Sequence, residues 1–214
     1  MKLGKKQIRC AFVWGNMDIG GAETVSFEIA KFIRDQGHHI AFICERGNLS
    51  PELEKEGFPC YYGKTNTKNP WVMVEASFLV EKVARKERLN LFYCDNLAQT
   101  VMAFLAKKRL VRGSHKGPAV ITVMHGHEKA FYYYISSPAY NWLSDRVIGV
   151  CDFERQRLIQ HGLNPMKVQR IYNGILPHSL PYPFTGKLKQ ELGIEDEVPL
   201  VGYVGRLSPE KDVA

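Results

Sequence analysis

Two spacings of apolar residues alternate along most of this chain. Strand-like segments, most of them compact apolar runs, fall at residues 8–14, 40–44, 58–62, 89–94, 119–124, 146–150 and 168–172. The first carries Arg9 as its only charge and reads as a strand buried on both faces. Between the runs the spacing turns helical. Val25, Ile29, Phe32 and Ile33 recur with Glu28, Lys31, Arg34 and Asp35 between them, which predicts a helix buried along those four apolar positions. Val72, Ala76, Leu79, Val80 and Val83 mark another over 72–88.

Local signals place the remaining helices. Ser50 followed by Pro51 reads as cap and first turn of a short helix, and Asp95 or Asn96 opens one over 97–110. Residues 131–143 read as an aromatic helix broken near Ser136-Ser137-Pro138, and Cys151 or Asp152 opens a helix reaching His161. Strands alternating with helices at this spacing predict an α/β fold, a doubly wound parallel sheet of the Rossmann-like kind. Ligands gather at the carboxyl ends of such strands, which puts Gly20, Gly21, Glu45, Asp95, His125 and Asn173 on one rim.

The pattern stops at residue 176. Pro177, Pro181 and Pro183 interrupt a stretch with neither period, so 176–185 reads as a linker between a first domain, 1–175, and the opening of a second, 186–214. The second part holds a short helix over 186–192, an apolar strand over 199–204 and a helix start at Ser208-Pro209-Glu210-Lys211.

Composition narrows the function classes. The 214 residues are 45% apolar and 24% charged, which excludes a disordered chain, and the net charge of +7 favours anionic partners. Nucleic acid is not expected, because Lys107-Lys108-Arg109 reads as a solvated helix end. Cys10, Cys44, Cys60, Cys94 and Cys151 form no Cys-x-x-Cys pair, so a zinc or thioredoxin-like site is unsupported, and their odd number suggests a reducing compartment, the cytoplasm. The apolar run behind the basic residues 1–6 is too short for a signal peptide or a membrane span.

The candidate chemistry lies in the strand-end loops. Gly20 and Gly21, between the first strand and its helix, allow close backbone approach to a phosphate at the helix N-terminus; a tight turn is the alternative. A P-loop would need Lys where Gly21 stands, and the Gly-x-Gly-x-x-Gly pattern is missing, although Glu45 sits where a ribose-binding acid would. Glu23 is either a helix-start carboxylate or a contact for a substrate hydroxyl. His125 stands at a strand end beside Gly126 and His127, and the two histidines lack a third metal ligand nearby. Residues 131–134, one Phe and three Tyr, fit core, sugar-stacking surface or membrane edge.

Four segments together carry a family resemblance: Gly20-Gly21-Ala22-Glu23, residues 122–126, residues 171–175, and residues 204–211 with Arg206 and Lys211. In this order they resemble glycosyltransferase family 4, retaining enzymes of the GT-B architecture. The resemblance implies an acceptor domain followed by a sugar-nucleotide domain, and no cofactor or metal. It implies that Gly21 approaches the donor diphosphate, that His125 faces the transferring sugar as catalytic residue, and that Arg206 and Lys211 clamp the leaving diphosphate. Gly20, Glu23, Asn173 and Gly174 would bind donor or substrate around them. Cys151 departs from the serine common in the family, and the family's paired-glutamate segment is not in this sequence. The expected activity is hexosyl transfer from a nucleotide sugar to a glycan or lipid-linked acceptor in bacterial surface polysaccharide synthesis. It would take place in the cytoplasm, with peripheral contact to the inner membrane face, and this chain alone would be inactive. A non-catalytic binding domain, a truncated inactive product and an epimerase-like protein are the alternatives.

Overall fold

The computed structural model describes residues 7–111, 117–126, 131–174 and 186–205. The chain divides into two compact units, Met1–Asn173 and Gly174–Ala214. The first unit holds seven strands: β1 (Arg9–Asn16), β2 (His39–Glu45), β3 (Cys60–Tyr62), β4 (Leu91–Cys94), β5 (Ala119–Met124), β6 (Arg146–Gly149) and β7 (Val168–Arg170). All pair in parallel, in the order β3-β2-β1-β4-β5-β6-β7. The chain winds outward from β1 to β3, then restarts on the other side of β1 with β4. The strand order therefore reverses between β1 and β4, and the rim above that pair is the switch point of the sheet.

Two helical layers cover the sheet. Helices α1 (Gly21–Asp35) and α2 (Ser50–Lys55) bury Phe27 and Leu53 against Phe12, Trp14, Phe42 and Phe58. On the opposite face, α3 (Pro70–Lys86) and α4 (Leu97–Leu110) bury Val80, Val83, Met102 and Ala103 against Val13, Phe92 and Val120. Further along that face, α5 (Phe131–Leu143) and α6 (Asp152–Gln160) close over Met124 and Val147 with Tyr133, Tyr140 and Leu158. Val120, Thr122 and Met124 alternate along β5 to this side, and the buried Thr122 hydroxyl bonds to Thr100 at 2.8 Å and Ser144 at 2.7 Å. Asn69, Asn96 and Cys151 cap α3, α4 and α6, accepting from the N–H groups of Trp71, Ala98 and Glu154.

Several sequence expectations are corrected. Of the four positions expected to be buried along α1, Val25, Ile29 and Ile33 are half-buried, Ile29 and Ile33 packing against the core, while Phe32 is exposed; the fully buried residues are Ser26, Phe27 and Ala30, with Phe27 edge-on to Phe58 at 6.2 Å. Ser50 is the first residue of α2 rather than its cap, and its hydroxyl accepts from Gly47 N–H at 3.0 Å. Helix α5 is unbroken across Pro138. Burial of Tyr133 and Tyr140 beneath it supplies tertiary packing that outweighs the missing donor at Pro138.

The second unit contains α7 (Lys187–Leu192), bounded by Gly186 and Gly193, both with left-handed backbone. The strand expected over 199–204 does not form. Its backbone pairs with no described strand, and Val201 and Val204 lie exposed; an isolated strand leaves its N–H and C=O groups to water. No described helix is long and apolar enough to cross a membrane.

Candidate active site

The loop after β1 is clamped by the loop after β2. Met17 N–H donates to the Glu45 carbonyl at 3.3 Å, and Leu49 N–H donates to the Met17 carbonyl at 2.8 Å. A Cβ at Gly47 would stand 2.3 Å from that same carbonyl, so only glycine lets the two loops meet. Asn48 N–H adds a bond to Asp18 Oδ1 at 3.1 Å. This fixes where α1 begins.

Gly20 and Gly21 then need separate explanations. Gly20 has extended backbone that any residue adopts, but a Cβ there would lie 2.3 Å from Glu23 Oε2. The Glu23 carboxylate thus folds back over the start of its own helix. At Gly21 a Cβ would meet nothing within 4 Å, and the backbone is not left-handed. Neither packing nor conformation requires glycine at 21, which removes the tight-turn account for that position. What remains is bare backbone facing open space in the first turn of a helix, whose N–H groups have no intrahelical acceptors.

Opposite this loop stand the ends of β4 and β5. Burial and the facing Glu23 push the Asp95 carboxyl up to about 7, against the pull of the Asn96 amide, which donates to Asp95 Oδ2 at 3.1 Å. His125 is half-buried, with its ring edge-on to Trp14 at 6.0 Å between centroids. Burial pulls its imidazole down to about 4, so the ring is neutral at pH 7. Its Nε2 is fully buried and has no hydrogen-bond partner among the described residues. A buried, unpartnered ring nitrogen costs free energy unless something bonds to it.

The next residue explains how His125 is held. Gly126 has φ +108°, a conformation that strains any other residue, and a Cβ there would lie 3.2 Å from Glu154 Oε1. Glu154, in the first turn of α6, is buried and accepts a hydrogen bond from the buried Tyr133 hydroxyl. Tyr133 and Glu154 therefore form a wall against which the His125-Gly126 turn packs.

Beside the rim, between the starts of α3, α4 and α5, lies a cavity of about 570 Å³. Its polar lining includes Asn66, Lys68, Asn96 and Gln99, and its apolar lining includes Met73 and Ile135. Gln99 is buried, and its amide orientation follows from a relay: Thr65 Oγ1 donates to the Gly15 carbonyl at 2.7 Å, and Gln99 Nε2 donates to the Thr65 carbonyl at 2.7 Å. Gln99 Oε1 is left as a buried acceptor with no partner among the described residues.

The structure thus brings Gly20, Gly21, Glu23, Asp95 and His125 to one switch-point rim. Asn173 follows the edge strand β7, two strands beyond β5 and so roughly 10 Å further along the rim. Gly174 belongs to the second unit, and Arg206 and Lys211 lie outside the described residues. Glu45 is exposed at the end of β2. Sequence reasoning missed the Glu23–Asp95 pairing, Gln99 and the Tyr133–Glu154 wall. The rim position of Asp95 was legible as a strand-end acid, and Tyr133 lay in the aromatic run 131–134, but their partners were not legible; Gln99 carries no sequence signal. Among the described residues no group of three or more His, Cys, Asp or Glu could hold a metal ion.

Known proteins share this architecture. A glycosyltransferase from Rickettsia africae superposes with a TM-score of 0.70 at 21% identity, over 91% of this chain and 52% of its own. HepE of Anabaena, solved with UDP, matches with a TM-score of 0.66 at 19% identity, over 87% of this chain and 50% of its own. The lipopolysaccharide outer core galactosyltransferase WaaB matches with a TM-score of 0.63 at 13% identity, over 78% of this chain and 46% of its own. At these identities the likeness shows the fold, and the chain spans about half the length of these structures. No curated protein matches it. The family model described as Glycosyltransferase Family 4 matches residues 19–178, and with the GT-B fold of the sheet this places the chain plainly: it belongs to glycosyltransferase family 4.

Proposed function

We propose that this chain is the acceptor-side half of a retaining hexosyltransferase, which moves a hexosyl group from a nucleotide sugar to a glycan or lipid-linked acceptor in the synthesis of bacterial surface polysaccharide. The observation that carries this reading is the meeting, at one switch point, of bare backbone at Gly21 with the neutral, unpartnered Nε2 of His125. The UDP bound to HepE and the galactosyl transfer named for WaaB support the donor class and the hexosyl group.

In this reading the donor diphosphate lies against the first turn of α1 at Gly21, where helix N–H groups attract an anion. His125 Nε2 hydrogen-bonds the transferring sugar, and Glu23 and Asp95 accept from sugar hydroxyls. Two carboxylates beside a diphosphate would repel it, and the raised pKa of Asp95 eases this, because a substantial share of that carboxyl is protonated at neutral pH. The cavity lined by Gln99 seats the acceptor. Arg206 and Lys211 stabilise charge on the departing diphosphate, Asn173 and Gly174 shape the cleft floor, and neither metal nor cofactor is required. The reaction takes place in the cytoplasm, at the membrane's inner face, and this chain without its donor domain transfers no sugar. Among the alternatives, a nucleotide-sugar epimerase leaves the acceptor cavity without a role.

His125→Ala in a two-domain protein carrying this chain tests the reading. Losing one transition-state hydrogen bond lowers turnover by roughly a hundred- to a thousand-fold. Turnover within a few-fold of wild type rejects it.

A further inference from the structure

His125 is held from both sides along the chain. Met124, the residue before it, is held twice: its carbonyl accepts from Val150 N–H at 3.3 Å, and its Sδ accepts from the Tyr140 hydroxyl at 3.3 Å. Gly126, the residue after it, stands against Glu154 Oε1, and the other carboxyl oxygen of Glu154 accepts from the Tyr133 hydroxyl. Tyr133 and Tyr140 lie two helical turns apart on α5, so their side chains share one face, and both are fully buried. The Arg157 guanidinium, one turn along α6 from Glu154, covers the Tyr133 ring at 4.4 Å.

The fold does not require these polar groups. Phenylalanine would fill the volume of either tyrosine, and an apolar residue in place of Glu154 would remove a carboxyl whose burial is costly. Replacing both members of a buried polar pair with apolar groups of similar shape is close to neutral for stability, or stabilising. What such a replacement loses is direction. A hydroxyl bonded to one carboxyl oxygen fixes where the other stands, and that oxygen bounds the space beside Gly126, whose backbone has φ +108°. The Tyr140 bond likewise fixes the Met124 thioether, a side chain with three rotatable bonds.

We infer that Tyr133, Tyr140 and Glu154 are positioning residues for His125: by holding Met124 and Gly126 they set where its ring stands at the rim, and so the rate of transfer. This rests on the catalytic role proposed for His125. Placement of this kind matters because a shift of about 1 Å in a reacting group can cost roughly a hundredfold in rate.

Two variants separate placement from stability. Tyr133→Phe combined with Glu154→Met removes the pair without leaving either member buried and unpaired, so its thermal transition is expected to stay close to that of wild type. Tyr140→Phe gives up only a weak bond to sulfur and is the milder probe. In the purified chain, NMR titration of the His125 ring reads its placement. Burial pulls that ring down to about 4, so a ring let out toward water titrates nearer ~6.5. The double variant should move the value more than halfway there. In a two-domain protein carrying this chain, its turnover with UDP-glucose or UDP-galactose should fall on the order of tenfold to a hundredfold, with KM for the donor within about twofold. Tyr140→Phe should act in the same direction and less strongly. The double change made on top of His125→Ala should cost nothing further, because no ring is left to place.

A folded double variant with turnover within about twofold of wild type overturns the inference and leaves the transferase reading standing. An unmoved His125 titration, or the same fold-loss with and without His125, does so too. A double variant that fails to fold also overturns it, since the core alone would then explain the pair. An inert two-domain protein, or His125→Ala as fast as wild type, sinks the transferase role of His125 and this inference with it.

Discussion

The two helical layers cover equally well-packed faces of one sheet but differ on their outer surfaces. Helices α1 and α2 turn outward a largely charged surface, with Lys31 and Glu28 paired at 2.5 Å and Arg34 bonded to Glu56 at 3.0 Å; Phe32 is the large apolar exception on it. Helices α3 and α5, on the other layer, turn outward Trp71, Val74, Phe78, Phe131, Tyr134, Ile135 and Trp142. Because both faces of the sheet are covered, the apolar exterior of the second layer is not a by-product of an incomplete core. It is a property of the outer surface of α3 and α5, and of these residues Ile135 also lines the cavity.

The largest expected effect separates inner from outer aromatics. Phe42 is fully buried and packs against Phe12 at 5.2 Å and Phe58 at 5.3 Å, so Phe42→Ala should cost about 3–5 kcal/mol in a denaturant titration. A loss below about 1 kcal/mol would mean that the α1/α2 layer is less tightly packed than it looks. Close behind comes His125→Ala, at roughly 2.7–4 kcal/mol of transition-state stabilisation, measured as turnover in a two-domain protein.

Asp95 sharpens the comparison at the rim where the layers meet. Its carboxyl titrates near 7 in the folded chain and near 3.9 unfolded, so the folded state holds the proton more tightly. The associated stability is fully present below about pH 4 and is lost as pH rises toward 7. Asp95→Asn removes the titration. Its stability relative to wild type should therefore improve by on the order of 1–3 kcal/mol between pH 4.5 and pH 7.5, read as the difference in unfolding midpoints. A constant difference across that range would show that the carboxyl ionises freely. The smallest effect is expected at Trp142→Ser, which should change stability by no more than about 0.5 kcal/mol, because the ring already faces water. A larger loss would make the outer face of α5 part of the fold after all.

Much of the architecture was legible because parallel strands buried on both faces read as largely apolar runs, and every expected strand through β7, an exposed edge strand, formed within a few residues of its expected limits. The run over 199–204 shows the limit of that logic. The same apolar pattern makes no strand where no neighbouring strand accepts its hydrogen bonds, and a partner is not encoded locally. The face of α1 was legible only in part: Ile29 and Ile33 pack against the core as their spacing suggests, but Phe32 is exposed and Phe27, outside that spacing, is the aromatic buried beside Phe58.

By itself the sequence determined the strand and helix order, the placing of Gly20, Gly21, Asp95 and His125 at strand ends, and the motifs that carry the family. These depend on local periodicity, turn chemistry and residue identity, all readable along the chain. Only the tertiary structure decided that Glu23 faces Asp95, that His125 is neutral with an unpartnered nitrogen, that Glu154 and Tyr133 brace Gly126, and that α5 shows its aromatics to solvent. Each of those is a matter of desolvation or of distance between residues far apart in the chain, and neither quantity exists until the strands are paired and the helices laid across them.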